Sequence, residues 1–510
     1  MSSKPTPSSA PDSRTVGRGA LYLSLSKLYF IVGSFGIYFG LRWAAASPTA
    51  AAKIFGDFKA VGAALSVLST VLVTGTVQAI SRFEANRPGG TRSLLGLALR
   101  VEVVLGCVIG GLYFLASGWL SARDPSLLVP LRISALIPLI YPLYAAFVGI
   151  LNGQKRFFEQ AVVDASFTTL KVLLVLLGVA MFQSAAGGYM GFALCAFLIT
   201  ALAAGLLARG GLRDSLPMPA PRASDILRFQ SQTVLFMFLI QWIVHMDLWY
   251  VILWHQFPND QLNDAKSLYG GTQLFAQLSY SLVIALTFVL FPLISRLDLS
   301  VSREKACNYV RRTLRYAAIL VGGAVTVLSV HPPTPLSLLL STSVVAHLDG
   351  VFPGQVLALP VLASGFACLA LGFVILSAMN AADHAKRSIV AVAVGVAVHL
   401  ALAPVLIGKW QLLGASIATG CGMLALLVMA VLLARAPLGF VLPIPTLLRV
   451  AVSAGSVVAL SRLFSFEGLL QQLVYLAAMG LAYLVIFVGL GGLNNEDREV
   501  LTRVFARRSP

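Results

Sequence analysis

Long runs of apolar residues alternate with short polar stretches along almost the whole chain. Fourteen of these runs approach the roughly 20 residues needed to cross the hydrocarbon core of a bilayer. They lie near 19–43, 58–81, 94–116, 127–151, 160–182, 187–208, 229–254, 268–292, 312–340, 355–379, 387–407, 411–434, 446–464 and 469–491. No water inside a bilayer can satisfy exposed N–H and C=O groups, so each run must be an α-helix. The pattern therefore predicts an all-α polytopic membrane protein with 14 transmembrane helices. The longest connections between runs are only about twenty residues, which leaves no room for a soluble domain.

Composition agrees with that reading, and charge adds an orientation. Hydrophobic residues make up 58% of the 510-residue chain and charged residues 11%, far from the balance of a soluble domain. If the N-terminus is cytoplasmic, the inner face collects 27 of the 37 Lys and Arg. Eight fall in outer loops (Arg42, Lys53, Lys59, Arg123, Arg132, Lys266, Lys409 and Arg462), and Lys27 and Lys171 fall inside runs. This asymmetry is the positive-inside rule, and it places both termini in the cytoplasm. The net charge of +17 is then mainly a topology signal, with added attraction to the anionic headgroups of membrane lipids. It does not indicate nucleic acid, because the basic residues are spread over many loops and form no single patch.

The chain also repeats itself. Ala79-Ile80-Ser81-Arg82-Phe83 closes the second run, and Leu293-Ile294-Ser295-Arg296-Leu297 closes the eighth. Leu206-Leu207-Ala208-Arg209 closes the sixth and Leu432-Leu433-Ala434-Arg435 the twelfth; Gly188 corresponds to Gly414 and Trp43 to Trp254. Equivalent elements are six crossings apart, so the two copies share an orientation, as in transporters built from parallel lobes. The expected organisation is a disordered cytoplasmic tail over 1–18, an N-lobe over 19–208, a cytoplasmic linker over 209–228 and a C-lobe over 229–434. Two further helices over 446–491 and a tail over 492–510 follow. Two such lobes can expose a central cleft to one face and then the other.

Lipid-facing positions carry few polar groups, so polar stripes at helical spacing mark the cleft or a neighbouring helix. Ser66, Thr70, Thr74 and Gln78 form one such stripe. Ser24, Lys27, Ser34 and Tyr38 form another, as do Asp164, Thr168 and Lys171. In the second copy the candidates are Gln241 and His245, then Gln273, Gln277, Tyr280 and Ser281. A single Ser or Thr is more often bonded to its own helix or to a neighbour than to a substrate. Ionisable groups at membrane depth cost more and say more. The expected substrate cavity is therefore built from Lys27, Ser34, Tyr38, Thr70, Thr74, Gln78, Thr168, Lys171, Gln241, Gln273 and Gln277. Asp247, Glu102 and His245 are the candidates for ion coupling. The cations suit an anionic headgroup such as a diphosphate; the hydroxyl and amide stripes suit sugar.

Other chemistries lack their residues. No G-x-x-x-x-G-K-[ST] loop for nucleotide appears, and no C-x-x-C pair marks a metal or disulfide. Four of the five cysteines lie within apolar runs. The short outer loops carry too few carboxylates for a glycosyltransferase or polymerase. A transporter without cofactors is expected, and not an enzyme.

Three local patterns carry a family resemblance. Phe55-Gly-Asp-Phe-Lys-Ala-Val-Gly62, with the Ser/Thr-rich run ending Val77-Gln-Ala-Ile-Ser-Arg-Phe83, looks like the opening of polysaccharide flippases. Gly149-Ile-Leu-Asn-Gly-Gln-Lys-Arg-Phe157 looks like their loop between spans 4 and 5, and His245-Met-Asp-Leu-Trp249 resembles a site where they carry Asp. With 14 spans and two lobes, the chain resembles the multidrug/oligosaccharidyl-lipid/polysaccharide exporter superfamily over residues 18–490. The resemblance implies flipping of a polyprenyl-diphosphate-linked oligosaccharide across a bacterial cytoplasmic membrane, alongside a polysaccharide polymerase partner. Lipid II flippases and cation-coupled multidrug exporters of the same superfamily are the alternatives. Lipid II flippases usually carry an arginine signature in span 1, where this chain has Lys27 and, only at the outer end, Arg42.

Overall fold

The computed structural model describes residues 13–86, 90–210, 221–254, 258, 261–295, 299–464 and 468–492. Every regular element among these residues is helical. In chain order they are α1 (Ser13–Ala44), α2 (Pro48–Asn86), α3 (Thr91–Leu120), α4 (Leu128–Ser134), α5 (Leu136–Gly153), α6 (Phe157–Phe182), α7 (Ala185–Arg209) and α8 (Ala223–Trp254). Then come α9 (Leu262–Ser295), α10 (Leu299–Val330), α11 (Pro333–Leu340), α12 (Thr342–Val351), α13 (Ala358–Ala381), α14 (Ala385–Leu438), α15 (Ile444–Ser461) and α16 (Leu469–Gly489).

Eleven helical segments among the described residues are long and apolar enough to cross a membrane. One of them, α14, has 54 residues, about 80 Å of helix against a core of about 30 Å. It breaks at Gln411, where φ is 51° and ψ is −124°, and so supplies two crossings. Helices α1 and α9, of 32 and 34 residues, cover two more of the fourteen predicted apolar runs. The chain is an all-α multi-pass membrane protein.

Helix ends depart from the predicted runs because helices continue past the apolar core. Ser47 starts α2 ten residues early: Ala50 N–H donates to Ser47 Oγ at 3.2 Å, and Pro48 takes the first helical position, where its missing N–H costs nothing. Lys59 and Lys266, expected in outer loops, consequently lie inside α2 and α9 and are buried. The predicted run over 312–340 is two elements, because Pro332 and Pro333 have no N–H to continue α10 past Val330. Likewise α1 begins at Ser13 and α8 at Ala223, inside the stretches expected as tail and linker. Residues 1–12, 211–220 and 493–510 of those stretches lie outside the described residues.

The helices divide into two compact units, Met1–Gln241 and Trp242–Pro510, with the boundary inside α8. In the first, α6 and α7 touch backbone to backbone, since a Cβ on Gly178, Gly187 or Gly191 would collide with a carbonyl of the facing helix. In the second, α10 carries α15 and α16 through Val330, Val457, Tyr475, Met479 and Tyr483. There Tyr483 donates its hydroxyl to the Ile319 carbonyl at 3.0 Å, so the polar tip of a buried ring is satisfied.

Candidate functional site

A cavity of about 340 Å³ lies inside the first unit, walled by α1, α2, α5, α6 and α7. The α2 wall follows helical periodicity: Gly62, Ser66, Ser69, Thr70, Val73 and Thr74 recur at three- and four-residue steps and share a face. Opposite them stand aromatic residues, Tyr141 and Tyr144 from α5, Phe167 from α6, and Tyr189 and Phe192 from α7. The rings support one another, with Phe58 stacked on Tyr189 at 4.6 Å and Tyr141 edge-on to Phe192 at 5.8 Å. Tyr189 is pinned by a 2.7 Å bond from its hydroxyl to the Phe58 carbonyl.

Lys171 projects into this chamber from α6. Its ammonium sits over the Phe192 ring at 4.1 Å, with Phe167 and Phe30 at 5.7 and 6.0 Å. Among the described residues no carboxylate forms an ion pair with it. Cation–π contacts of this kind contribute about 2 kcal/mol when desolvated and leave the ammonium's N–H donors available. Asp164, two turns earlier on α6, also lines the cavity and accepts the Tyr144 hydroxyl at 3.1 Å. The chamber thus presents one lysine, one aspartate, a row of hydroxyls and a wall of ring faces.

The remaining residues expected in the cavity divide. Tyr38, Thr70, Thr74 and Lys171 line it together. Thr168 does not: it is buried against α1 beneath Gly33, and its hydroxyl donates to the Asp164 carbonyl at 3.0 Å. Ser34 donates to the Phe30 carbonyl of its own helix at 2.8 Å. Gln78 is exposed at the far end of α2, 3.4 Å from Thr233 of α8. Gln241 is half-buried at the last position of the first unit. The side chain of Lys27 lies outside the described residues. Glu102, which neighbours Arg100 in sequence, instead takes a 2.8 Å bond from Gln230 of α8. The aromatic wall escaped the sequence reading because its Phe and Tyr look like ordinary span residues. Their only signal was three-residue spacing, Tyr141 to Tyr144 and Tyr189 to Phe192.

The second unit holds the other candidates around Asp247, which is fully buried. Oδ2 accepts the Tyr269 hydroxyl at 2.8 Å; Oδ1 accepts the Leu248 N–H at 3.0 Å and the Gln273 amide. Gln277 lies 3.3 Å from the Val244 carbonyl and 3.5 Å from His245 Nδ1. Asp247 is therefore the hub of a bonded network joining α8 to α9. Replacing it with Ala strands the Tyr269 and Gln273 donors, and is expected to destabilise the purified protein by about 3 kcal/mol. Asp247→Asn keeps an acceptor and should cost less than half of that. Thermal unfolding of the two variants checks the ranking; equal melting temperatures would mean the network adds no stability.

No protein-family profile and no curated protein matches this sequence, but solved structures match its fold. The lipid II flippase MurJ, in an inward closed conformation, aligns at a TM-score of 0.65 with 12% identity, over 96% of this chain and 99% of that one. An inward-facing multidrug resistance transporter of the MATE family aligns at 0.62 with 16% identity, over 81% and 94% of the two chains. A MOP-superfamily transporter from Pyrococcus furiosus, described as having a binding pocket of reverse polarity, aligns at 0.61 with 12% identity, over 83% and 95%. The chain shares the fold of these solved transporters. Each of these neighbours is a transporter or flippase.

Proposed function

We propose that the chain is a flippase that carries a polyprenyl-diphosphate-linked oligosaccharide from the cytoplasmic to the outer leaflet of a bacterial cytoplasmic membrane. It would work by ion-coupled alternating access, with both termini cytoplasmic, and feed a surface-polysaccharide polymerase. The observation that carries this reading is Lys171, a cation in a cavity at membrane depth with aromatic faces and no carboxylate partner among the described residues. An ionisable residue in that position is retained for function far more often than for stability. A diphosphate is the complementary ligand, taking charge-assisted bonds from the ammonium. The α2 hydroxyls at Ser66, Ser69, Thr70 and Thr74 match sugar hydroxyls, and the rings of Tyr141, Tyr144 and Phe192 match the apolar faces of pyranose rings. No bond is made or broken in this activity. A cationic cargo would meet the repulsion of Lys171 as well as the attraction of Asp164 in the same chamber.

One observation favours a second reading. The alignment with the lipid II flippase spans 96% of this chain, whereas the multidrug transporter aligns over 81%. Lipid II also carries a polyprenyl diphosphate, so the cavity chemistry is common to both and the glycan separates them. The test is translocation in proteoliposomes of two fluorescent polyprenyl-diphosphate probes, one bearing an oligosaccharide and one the disaccharide-pentapeptide of lipid II. Movement of the first alone is expected. Movement of the second alone establishes the lipid II reading, and efflux of an organic cation with neither probe moving refutes both.

A further inference from the structure

Glu102 is the one acidic residue of α3, and it is 0% exposed. Its Oε1 accepts Nε2 of Gln230 on α8 at 2.8 Å, and the same amide reaches Thr76 Oγ1 on α2 at 3.3 Å. Its Oε2 is buried with no hydrogen-bond partner among the described residues. The charged groups on the surrounding helices point elsewhere. Arg92 and Arg100 of α3, Arg82 of α2, Arg132 of α4, and Asp225 and Arg228 of α8 are exposed. Arg82 stacks over Phe229 at 4.6 Å and Arg132 over Phe114 at 5.4 Å. Glu84 of α2 is bonded to Thr91 and Gln154. Helix α5 carries no charged residue, and its two tyrosines line the cavity. Ionised, Glu102 would be a buried charge with only neutral partners, a state that a proton relieves.

Helix α2 separates this carboxyl from the cavity. Thr74 lines the chamber, and Thr76, about 200° further round the helix, lies beside the Gln230 amide that Glu102 binds. Helix α8 rests on the same part of α2. Val234 fills the space above Gly75, where a Cβ would approach it to 2.9 Å, and Thr233 lies 3.4 Å from Gln78. We propose that Glu102 is a proton-binding site whose protonation sets how firmly α8 is held to α2 and α3, coupling proton exchange to turnover of the cavity behind α2. Adding a proton to the carboxylate converts the charge-assisted bond from Gln230 into a weaker neutral one and turns the carboxyl into a donor. Two states of one contact result, both touching a helix that lines the chamber. The coupling half of this proposal rests on the transport reading above; the proton-binding half does not.

Two measurements on the full-length protein separate those halves. In pH-difference infrared spectra, a carbonyl band of a buried carboxylic acid should appear on acidification of the wild type and of Glu84→Gln. It should vanish in Glu102→Gln and shift in Glu102→Asp, which keeps the carboxyl and guards against a folding defect. A band that persists in Glu102→Gln overturns the site. In proteoliposomes, an imposed pH gradient should change the rate of wild-type translocation of the fluorescent oligosaccharide probe by about tenfold, a common size for coupling between sites. The Glu102→Gln variant should not respond to the gradient, and a wild-type response in that variant overturns the coupling. If neither probe nor organic cation moves in the wild type, the transport reading has failed, and the infrared result alone decides whether Glu102 binds a proton.

Discussion

Lys171→Ala should lower the affinity for a polyprenyl-diphosphate probe about 100-fold and reduce its translocation in proportion. The size follows from the chemistry of the chamber. A diphosphate bound there gains roughly 3 kcal/mol from charge-assisted bonds to the ammonium, and each 1.4 kcal/mol is a factor of ten in affinity. Folding should be nearly untouched, because alanine favours helix and the lost cation–π contacts to Phe192, Phe167 and Phe30 are offset by removal of a buried charge. Lys171→Arg keeps the charge and should retain most of the binding, whereas Lys171→Glu should bind less than the alanine variant. Binding of the fluorescent probe to nanodiscs, with melting temperatures as the control for folding, measures all three. Wild-type affinity in Lys171→Ala would remove the lysine from the site and with it the case for an anionic headgroup.

The contrast with Asp247 explains why depth in the membrane alone does not define a site. Both residues are single charges far inside apolar runs, and from sequence they carried equal weight. In the fold, Asp247 has both carboxylate oxygens engaged by Tyr269, Gln273 and the Leu248 N–H. Lys171 has ring faces and a cavity. The first arrangement locks two helices together; the second leaves donors aimed at open space. Periodicity alone cannot separate them, since each depends on which neighbouring helix arrives with partners.

The number of crossings was legible because the bilayer imposes its thickness on composition. Helix ends were not, since the constraint vanishes at the headgroups: α2, α8, α9 and α10 run on through polar sequence, and Lys59 of α2 and Lys266 of α9 are buried there. Within the cavity the stripe rule worked where helix packing stayed uniform. Ser66, Thr70 and Thr74 share the chamber, while Gln78, one turn further, has left it for α8. Thr168 failed for a smaller reason. It stands three residues from Lys171, about 60° round the helix, enough to turn it from the chamber toward Gly33 of α1. The aromatic residues of α5, α6 and α7 gave no warning beyond their spacing, because a ring facing lipid and a ring facing a sugar have the same hydropathy.

Gly191→Ala should be the most disruptive single-methyl change in the first unit, although Gly191 touches no proposed ligand. It packs α7 against α6 with its Cα over the Leu174 carbonyl, and a methyl there collides with backbone, which cannot swing aside as a side chain can. One turn earlier, Gly187 makes the same approach to Gly178, so the pair forms a small-xxx-small contact that sets the α6–α7 distance. Prising the helices apart costs about 3 kcal/mol or more, and it also moves both flanks of the chamber, since α6 carries Lys171 and Phe167 while α7 carries Tyr189 and Phe192. The expected result is a lower melting temperature together with weaker probe binding. Gly205→Ala on the same helix, where a Cβ meets nothing within 4 Å, should show neither effect. Equal stability of the two variants would mean that the α6–α7 contact yields at little cost, and that the position of Lys171 is set by something other than this pair of glycines.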